Sequence, residues 1–304
     1  MAAALTVLTS CNSNDDGGVQ SIEIPGITFD GDIDCCSAEE ALQVYKFLQT
    51  VRIVPELSTV VDGKYNVFAY TKPEGFHVGY NEVFFVATKR SSGNYIKDFS
   101  INGITPLMVM EKMNMKHSSP ASATAESFND GYLAVKRAWV SFIMGGDWFL
   151  SYGISVLGAA GSLSEASVAA EALPEGQQWV KSFKADDATY YISLVNPSAF
   201  QTGTNSIRAY VSKKSSTGLT AYLLADELFT IDIDPRMPDM GNHTSPDNTS
   251  LTRQEDGSYA GTINLTMTGL WRIHLTVRDS KGDVVAGGDD QKDGFSSLYW
   301  DVTI

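Results

Sequence analysis

The chain has 304 residues, of which 43% are hydrophobic and 19% charged, and its formal net charge is −14. This composition is typical of a folded protein and leaves room for two domains of ordinary size. The negative charge repels phosphate backbones, so we expect no nucleic-acid partner. No apolar run reaches the roughly 18 residues that a membrane-spanning helix needs.

The first eleven residues, MAAALTVLTSC, resemble the signal and lipobox of a bacterial lipoprotein. Small residues there precede a cysteine, and Cys11 is therefore the predicted lipidation site. The alternative is an ordinary apolar N-terminus that happens to meet a cysteine. Residues 12–34 are predicted to form a flexible tether, and their acidic pair resembles the surface-export tag of Bacteroidota lipoproteins. We expect a lipid anchor in the cell envelope, on the outer membrane, facing the periplasm or the surface.

A short N-terminal helix is predicted within residues 35–61. Ser37 and Glu40 have the spacing of a capping box, and Pro55 ends the region. The apolar stripe that would pack against the first sandwich comprises Ala41, Leu42, Val44, Tyr45 and Leu48.

Two further cysteines, Cys35 and Cys36, are adjacent. Such a pair does not link distant loops as an ordinary disulfide does. It forms a strained local bridge, pairs with another chain, binds a soft metal, or simply supplies two small residues before the helix.

The remainder of the chain contains an internal duplication. PEGFHVGYN, from Pro73, matches PSAFQTGTN, from Pro197, at an offset of 124 residues (73 to 197). MGGDW matches MTGLW further on, and Trp179 is matched with Trp300. These matches predict two copies of one domain, at residues 62–184 and 185–304.

Each copy contains short runs in which apolar and polar residues alternate, such as YNVFAY, SIRAYVS and WRIHLTV. Alternation with period two between turn residues is typical of half-buried strands. The predicted fold is all-β, with two tandem immunoglobulin-like β-sandwich domains and the short N-terminal helix. The Ala-, Ser- and Gly-rich stretch Gly158–Gly176 is interpreted as an insertion before the last strand of the first copy.

Two stretches, MNMKHSSP and MPDMGNHTSP, place methionines close to a histidine. Copper(I) is a soft ion that prefers thioether sulfur and imidazole. In the first stretch the three residues alternate and would share one face of a strand; in the second, Pro238 and Gly241 favour a turn. The candidate ligands are Met113, Met115 and His117 in the first copy, and Met237, Met240 and His243 in the second. The alternative is that these methionines only fill gaps in a core, as is expected for Met108, Met110, Met144 and Met267.

MPDMGNH followed by EDGSYAGTINLTMTGLWRIHLTV resembles the YtkA-like domain family, whose relatives include FixH-type proteins. The resemblance covers most of the second copy. It implies exported immunoglobulin-like domains with copper handling in some members, and it assigns the ligand role to the same two sets of Met and His residues.

Catalytic motifs are missing from the sequence: it has no G-x-S-x-G, no H-E-x-x-H and no phosphate-binding glycine loop. We therefore expect a non-catalytic copper-binding protein of the cell envelope, with an envelope protein as a partner. The second hypothesis is a metal-free interaction module that binds a protein or glycan through its loops and surface aromatics such as Tyr299. His77 has Gln201 as its counterpart, which excludes a role shared by the copies, and His274 is either a surface residue or a ligand.

Overall fold

The computed structural model describes residues 24–27, 35–110, 115–128, 134–197, 199–288 and 294–304. Two predicted site residues, Cys11 and Met113, lie outside the described residues. Strands predominate among the described residues, which contain a single α-helix, and this confirms the all-β class. No helix in the described ranges is long and apolar enough to cross a membrane.

Among the described residues of the first half there are one α-helix and eleven strands. They are α1 Cys35–Leu48, β1 Arg52–Ile53, β2 Thr59–Val61, β3 Tyr65–Thr71, β4 Gly79–Lys89, β5 Tyr95–Ile96, β6 Phe99–Met110, β7 Met115–Ser118, β8 Glu126–Ser127, β9 Val135–Phe142, β10 Gly146–Val156 and β11 Ala159–Ala170.

The described part of the second half contains ten strands. They are β12 Val180–Ala185, β13 Ala188–Asn196, β14 Gly203–Lys213, β15 Thr230–Met237, β16 His243–Thr244, β17 Leu251–Arg253, β18 Tyr259–Leu265, β19 Leu270–Arg278, β20 Val284–Ala286 and β21 Tyr299–Thr303.

Two antiparallel sheets pack face to face in the first half. One has the order β1-β3-β4-β9-β8, with β2 and β5 added on β3 and β4, and the other has the order β11-β10-β6-β7. The core between them contains Phe85, Phe142, Trp148 and Leu150, all at most 2% exposed. Because side chains on each strand alternate between the core and the outside, this half is a β-sandwich.

The second half forms one continuous antiparallel sheet with the path β12-β13-β14-β18-β17-β15-β19-β20, to which β16 and β21 are added. The short strand β17 pairs with β18 on one side and with β15 on the other, so the sheet passes from one layer to the next there. Both layers enclose a core that contains Tyr259, Trp271 and Trp300. The predicted pair of immunoglobulin-like sandwiches is confirmed.

The two sandwiches share their strand order. β3-β4-β9-β8 recurs as β13-β14-β18-β17, and β10-β6-β7 recurs as β19-β15-β16. The repeated PxxFxxGxN motif has a structural role in both: the Asn81 amide donates to the carbonyls of His77 and Gly79, at 2.8 and 2.7 Å, and Asn205 makes the equivalent pair of bonds. A side-chain amide that satisfies two loop carbonyls explains why the motif is present in each copy.

Strand pairing differs from the sequence interpretation at the junction. Most of the stretch Gly158–Gly176 is the edge strand β11, which pairs with β10 on both sides of one β-bulge, so the interpretation as an insertion was wrong. Small residues mislead here because they have weak strand propensity but pack well on an exposed edge. Residues 171–179 connect the sandwiches, and β12 pairs with β13 although it precedes the expected boundary at residue 185. Strands β1 and β2 likewise join the first sandwich ahead of residue 62.

The predicted equivalence of Trp179 and Trp300 was also wrong. Trp300 lies within β21, opposite Ile273 of β19. Trp179 precedes β12 and packs against the same, second core, where its indole N–H donates to the Asp301 carbonyl at 2.8 Å. The two tryptophans therefore belong to one sandwich.

Helix α1 packs on the outer face of the first sandwich, as predicted. Val44 is fully buried with Phe84 and Val86, two outward-facing residues of β4, and the Phe47 and Phe84 rings lie 5.1 Å apart. The helix begins at Cys35, so Ser37 lies in its first turn and the predicted capping box was wrong.

A short β-bridge joins the sandwiches beside β7. The Ser118 amide donates to the Gly218 carbonyl at 2.8 Å, and the Tyr222 amide donates to the Ser119 carbonyl at 3.1 Å. Strand β7, which carries two predicted site residues, is therefore held from the second sandwich as well as from β6.

Candidate functional site

In the second sandwich, Met237 and His243 lie directly opposite each other on β15 and β16. On its other side β15 pairs with β19, and the register Arg236 to Arg272 places Met237 next to Trp271. Directly opposed residues of antiparallel strands project from the same face. His243, Met237 and Trp271 thus form a row across three strands, in which Met237 and Trp271 are buried and His243 is exposed.

Met240 lies outside this row. It ends the short turn Pro238–Met240, and its side chain is 54% exposed. Gly241 follows in the left-handed conformation with φ 64°, which is the turn that the spacing predicted. The structure therefore brings Met237 and His243 together and leaves Met240 at the tip of the hairpin.

The first sandwich contains the same row. His117 of β7 lies opposite Met108 of β6, and the register Leu107 to Phe149 places Met108 next to Trp148. The rings of His117 and Trp148 are 5.3 Å apart and nearly perpendicular. In both sandwiches the indole N–H donates to a methionine carbonyl four residues earlier.

Met108 is therefore the structural counterpart of Met237, although sequence comparison had assigned it to packing. The reason is a change of register, since nine residues separate Met108 from His117 and six separate Met237 from His243. The longer hairpin of the first copy moved the matching methionine out of alignment. Only the strand pairing reveals the correspondence.

The first sandwich adds a second pair beside the row. Met110 lies opposite Met115, and these positions share a face with Met108 and His117 because each lies two residues along its strand. We call these four residues the β6–β7 array: Met108, Met110, Met115 and His117. Exposure increases along it, since Met108 is buried, Met110 half-buried and Met115 53% exposed.

His117 has one ring nitrogen without a hydrogen-bond partner. Its Nδ1 lies 3.3 Å from the Ser118 carbonyl, and its Nε2 is buried with no partner among the described residues. With the proton on Nδ1, the Nε2 lone pair is free to bind a ligand. Leaving such an acceptor buried and unpaired costs free energy, so this nitrogen favours a bound group. His243, by comparison, is exposed.

The donor set is soft throughout. Across the part of the chain that the structure describes, no cluster of three or more His, Cys, Asp or Glu side chains could hold a metal ion. Calcium and magnesium require such oxygen ligands, whereas thioethers and an imidazole fit copper(I). The β6–β7 array therefore fits copper(I) in the chemistry of its donors.

The two remaining histidines lie apart from both rows. His77 is in the loop before β4, and its Nδ1 is 2.9 Å from the Val78 carbonyl. His274 on β19 stacks on Phe295 at 5.2 Å, and its Nδ1 lies 2.6 Å from the Ser296 carbonyl. Burial lowers the pKa of His274 below its ordinary value.

Residues 184–276 match the YtkA-like family model. The match runs from the end of β12 into β19 and contains Met237, Met240, His243 and Trp271. It supports the family resemblance for the second sandwich. Comparison with curated protein sequences finds no match.

Three solved structures show distant similarity. The chain is 12% identical to invasin, a bacterial integrin-binding protein, with a TM-score of 0.24, over 84% of this chain and 41% of that one. The chain is also 12% identical to domains 5–6 of the S-layer protein SbsC, with a TM-score of 0.28, over 83% of this chain and 98% of that one. The third structure is the Bacteroides ovatus mixed-linkage glucan utilization locus protein SGBP-B in complex with a heptasaccharide. The chain is 10% identical to it, with a TM-score of 0.18, over 83% of this chain and 70% of that one. The chain thus spans about two fifths of the invasin chain, and at such low TM-scores no function is carried over.

Proposed function

We propose that this protein is a lipid-anchored, exported copper(I)-binding protein that holds or hands over the ion without catalysing a reaction. The observation that carries the proposal is the β6–β7 array, where His117, whose Nε2 has no hydrogen-bond partner among the described residues, lies directly opposite Met108 on the neighbouring strand. The recurrence of a His-Met-Trp row in the second sandwich supports it.

The residues of the array would have different roles according to how deeply each side chain is buried. Met115 is exposed and would meet the incoming ion, while Met108 and His117 would hold it at the rim of the core. Trp148 packs against His117 and excludes water, and its ring face attracts a cation. Thioethers suit an oxidising compartment, where free thiols are lost to disulfides.

Anaerobic titration with copper(I), in competition with a chromogenic chelator, tests the proposal. The variant Met108→Leu/His117→Ala removes the buried sulfur and the imidazole, and we expect copper(I) affinity at this site to fall by more than about tenfold. Leucine conserves the volume of methionine, so the fold should be retained. A matched control, Met267→Leu/His274→Ala, removes the same residue types outside both rows, keeps the Met267 carbonyl that accepts from Trp271, and should titrate like the wild type.

The second sandwich provides a separate arm of the experiment. We expect Met237→Leu/Met240→Leu/His243→Ala to reduce copper(I) binding less than the first-sandwich variant, because Met240 and His243 are exposed and Met237 has a single adjacent ligand. If Met108→Leu/His117→Ala binds copper(I) as tightly as the wild type, the proposed function is wrong.

A second candidate function is a metal-free envelope interaction module. The observation in its favour is a group of exposed leucines between β14 and β15: Leu219, Leu223 and Leu228 are 48%, 48% and 56% exposed. Exposed apolar residues grouped in this way are a feature of protein contact surfaces. Tyr299, by contrast, is covered by Arg272 at 3.9 Å and Lys181 at 5.2 Å. Capture of an envelope partner that survives chelation of all metal, and is lost in Leu219→Ser/Leu228→Ser, would favour this function.

A further inference from the structure

An open cleft of about 230 Å³ lies between the two sandwiches, away from both Met/His rows. The first sandwich contributes residues that follow β3 or lie on β4 and β9, and the second contributes the end of β13 and the middle of β14. The lining residues include Lys72, Tyr80, Glu82, Arg137, Asn196 and Arg208. Because both sandwiches supply its walls, a molecule bound in this cleft would contact both at once.

The lining of the cleft is positively charged. Lys72 and Arg137 share a single carboxylate, that of Glu82, at 3.1 and 3.3 Å. Arg208 supplies a third cation, so the lining carries three positive charges against one negative charge. The chain as a whole has 36 acidic and 22 basic residues, so a local excess of positive charge is unusual.

The cations remain available to a ligand. The side chains of Lys72 and Arg137 are 42% and 37% exposed, whereas Glu82 is 14% exposed. Arg208 is 40% exposed and binds Asp256, at 2.9 Å, which does not line the cleft. An exposed pair of this kind contributes little by itself and leaves the remaining N–H donors of the guanidinium free.

The cleft has one rigid wall. Tyr210, another lining residue, stacks on Trp139 with the ring centroids 4.8 Å apart, which fixes one side of the cleft.

We propose that the cleft binds a small organic dicarboxylate. Its carboxylates would accept hydrogen bonds from Arg208 on one side of the cleft and from Arg137 and Lys72 on the other. Guanidinium groups favour carboxylates because two parallel N–H donors match the two oxygens. Binding would draw the two sandwiches together, since the cations belong to both.

Calorimetric titration of the metal-free full chain at low ionic strength tests the proposal, with L-malate, succinate and inorganic phosphate as probes. We expect L-malate and succinate to bind with similar affinity, because each presents two carboxylates to the cations of the cleft. Phosphate should bind most weakly, because it is smaller than the dicarboxylates and reaches the cations of both sandwiches less well. Added salt should weaken all three.

Arg208→Gln removes one cation from an exposed position, and we expect it to weaken L-malate binding by about tenfold. The matched control is Arg278→Gln, which breaks a comparably exposed ion pair, Arg278 with Asp232 at 2.7 Å, outside the cleft. The control should bind L-malate like the wild type, and thermal melts should show that both variants are folded.

The proposal is wrong if neither L-malate nor succinate binds at about 10 mM, or if Arg208→Gln binds as the wild type does. Tighter binding of phosphate than of L-malate would also contradict it. None of the methionines or histidines of the copper proposal lines this cleft, and the titration is metal-free. Failure of one proposal therefore leaves the other unaffected.

Discussion

Trp139 of the first sandwich stacks on Tyr210 of the second, with ring centroids 4.8 Å apart and an interplanar angle of 14°. Tyr80 contacts both rings at about the same spacing, 6.0 and 6.1 Å. The stacked rings join strands β9 and β14, which belong to separate cores. Together with the bridge beside β7, it makes the two sandwiches a connected pair.

The first prediction concerns this stack. Tyr210→Ala should weaken the connection between the sandwiches by about 1 kcal/mol beyond the loss of buried area, because stacked aromatic pairs contribute on that scale. We expect faster proteolytic cleavage within the connecting residues 171–179. Tyr65→Ala, which removes a half-buried tyrosine at the start of β3, in the first sandwich, is the control. Equal cleavage rates in the two variants would contradict the prediction that the Trp139–Tyr210 stack stabilises the connection between the sandwiches.

A second prediction concerns the buried hydroxyl pair of Ser141 and Ser193, whose oxygens lie 2.7 Å apart between the sandwiches. Ser141→Ala leaves the Ser193 hydroxyl buried without this partner and should cost about 1–3 kcal/mol. The double variant Ser141→Ala/Ser193→Ala should lose less unfolding free energy than the two single variants together, because no unpaired buried hydroxyl remains. Denaturant unfolding of all four proteins measures the coupling, and strict additivity would show that the pair does not interact.

The third prediction concerns pH. Burial lowers the pKa of His274 in the folded chain, so the unfolded chain binds this proton more readily. The contribution of His274 to stability is therefore complete above its unfolded pKa of about 6.5 and is lost as the pH falls below it. Between about pH 7 and pH 5 the wild type should lose more stability than His274→Gln, which lacks this imidazole and keeps every other titratable group of the chain. Parallel pH dependence of denaturant unfolding in both proteins would contradict this.

The fourth prediction concerns the lipid anchor. In a bacterial host, Cys11→Ser should abolish labelling by radioactive palmitate and move the protein from the membrane to the soluble fraction. The matched control is Cys35→Ser/Cys36→Ser, which removes the other two cysteines and should change neither result. Continued labelling of Cys11→Ser would show that the lipid is attached elsewhere.

Much of the fold could be predicted from local patterns. Alternation with period two identified the strands, the apolar stripe around Val44 identified the helix, and the repeated PxxFxxGxN motif identified the duplication. These features depend on neighbours close in sequence, where residue spacing translates directly into geometry. The junction was harder, because β11 consists largely of Ala, Ser and Gly and resembles a loop.

The candidate site could be predicted only in part. Met115 and His117 alternate on β7, as expected, and Met237 lies opposite His243. Met108 and Met110 were missed because their neighbours in space come from across a hairpin, and the hairpin differs in length between the copies. A comparison that allowed the hairpin to vary would have matched Met108 with Met237 through the shared Gly-x-Trp that follows.

By itself the sequence determined the class of the protein, the number of sandwiches and the residue types available for chemistry, since composition and periodicity record burial directly. Tertiary structure alone decided which methionine lies against which histidine, and which cations of the two sandwiches line one cleft. The physical reason is that strand register and domain docking are set by pairing and packing between distant segments, and a shift of one hairpin changes every partner beyond it.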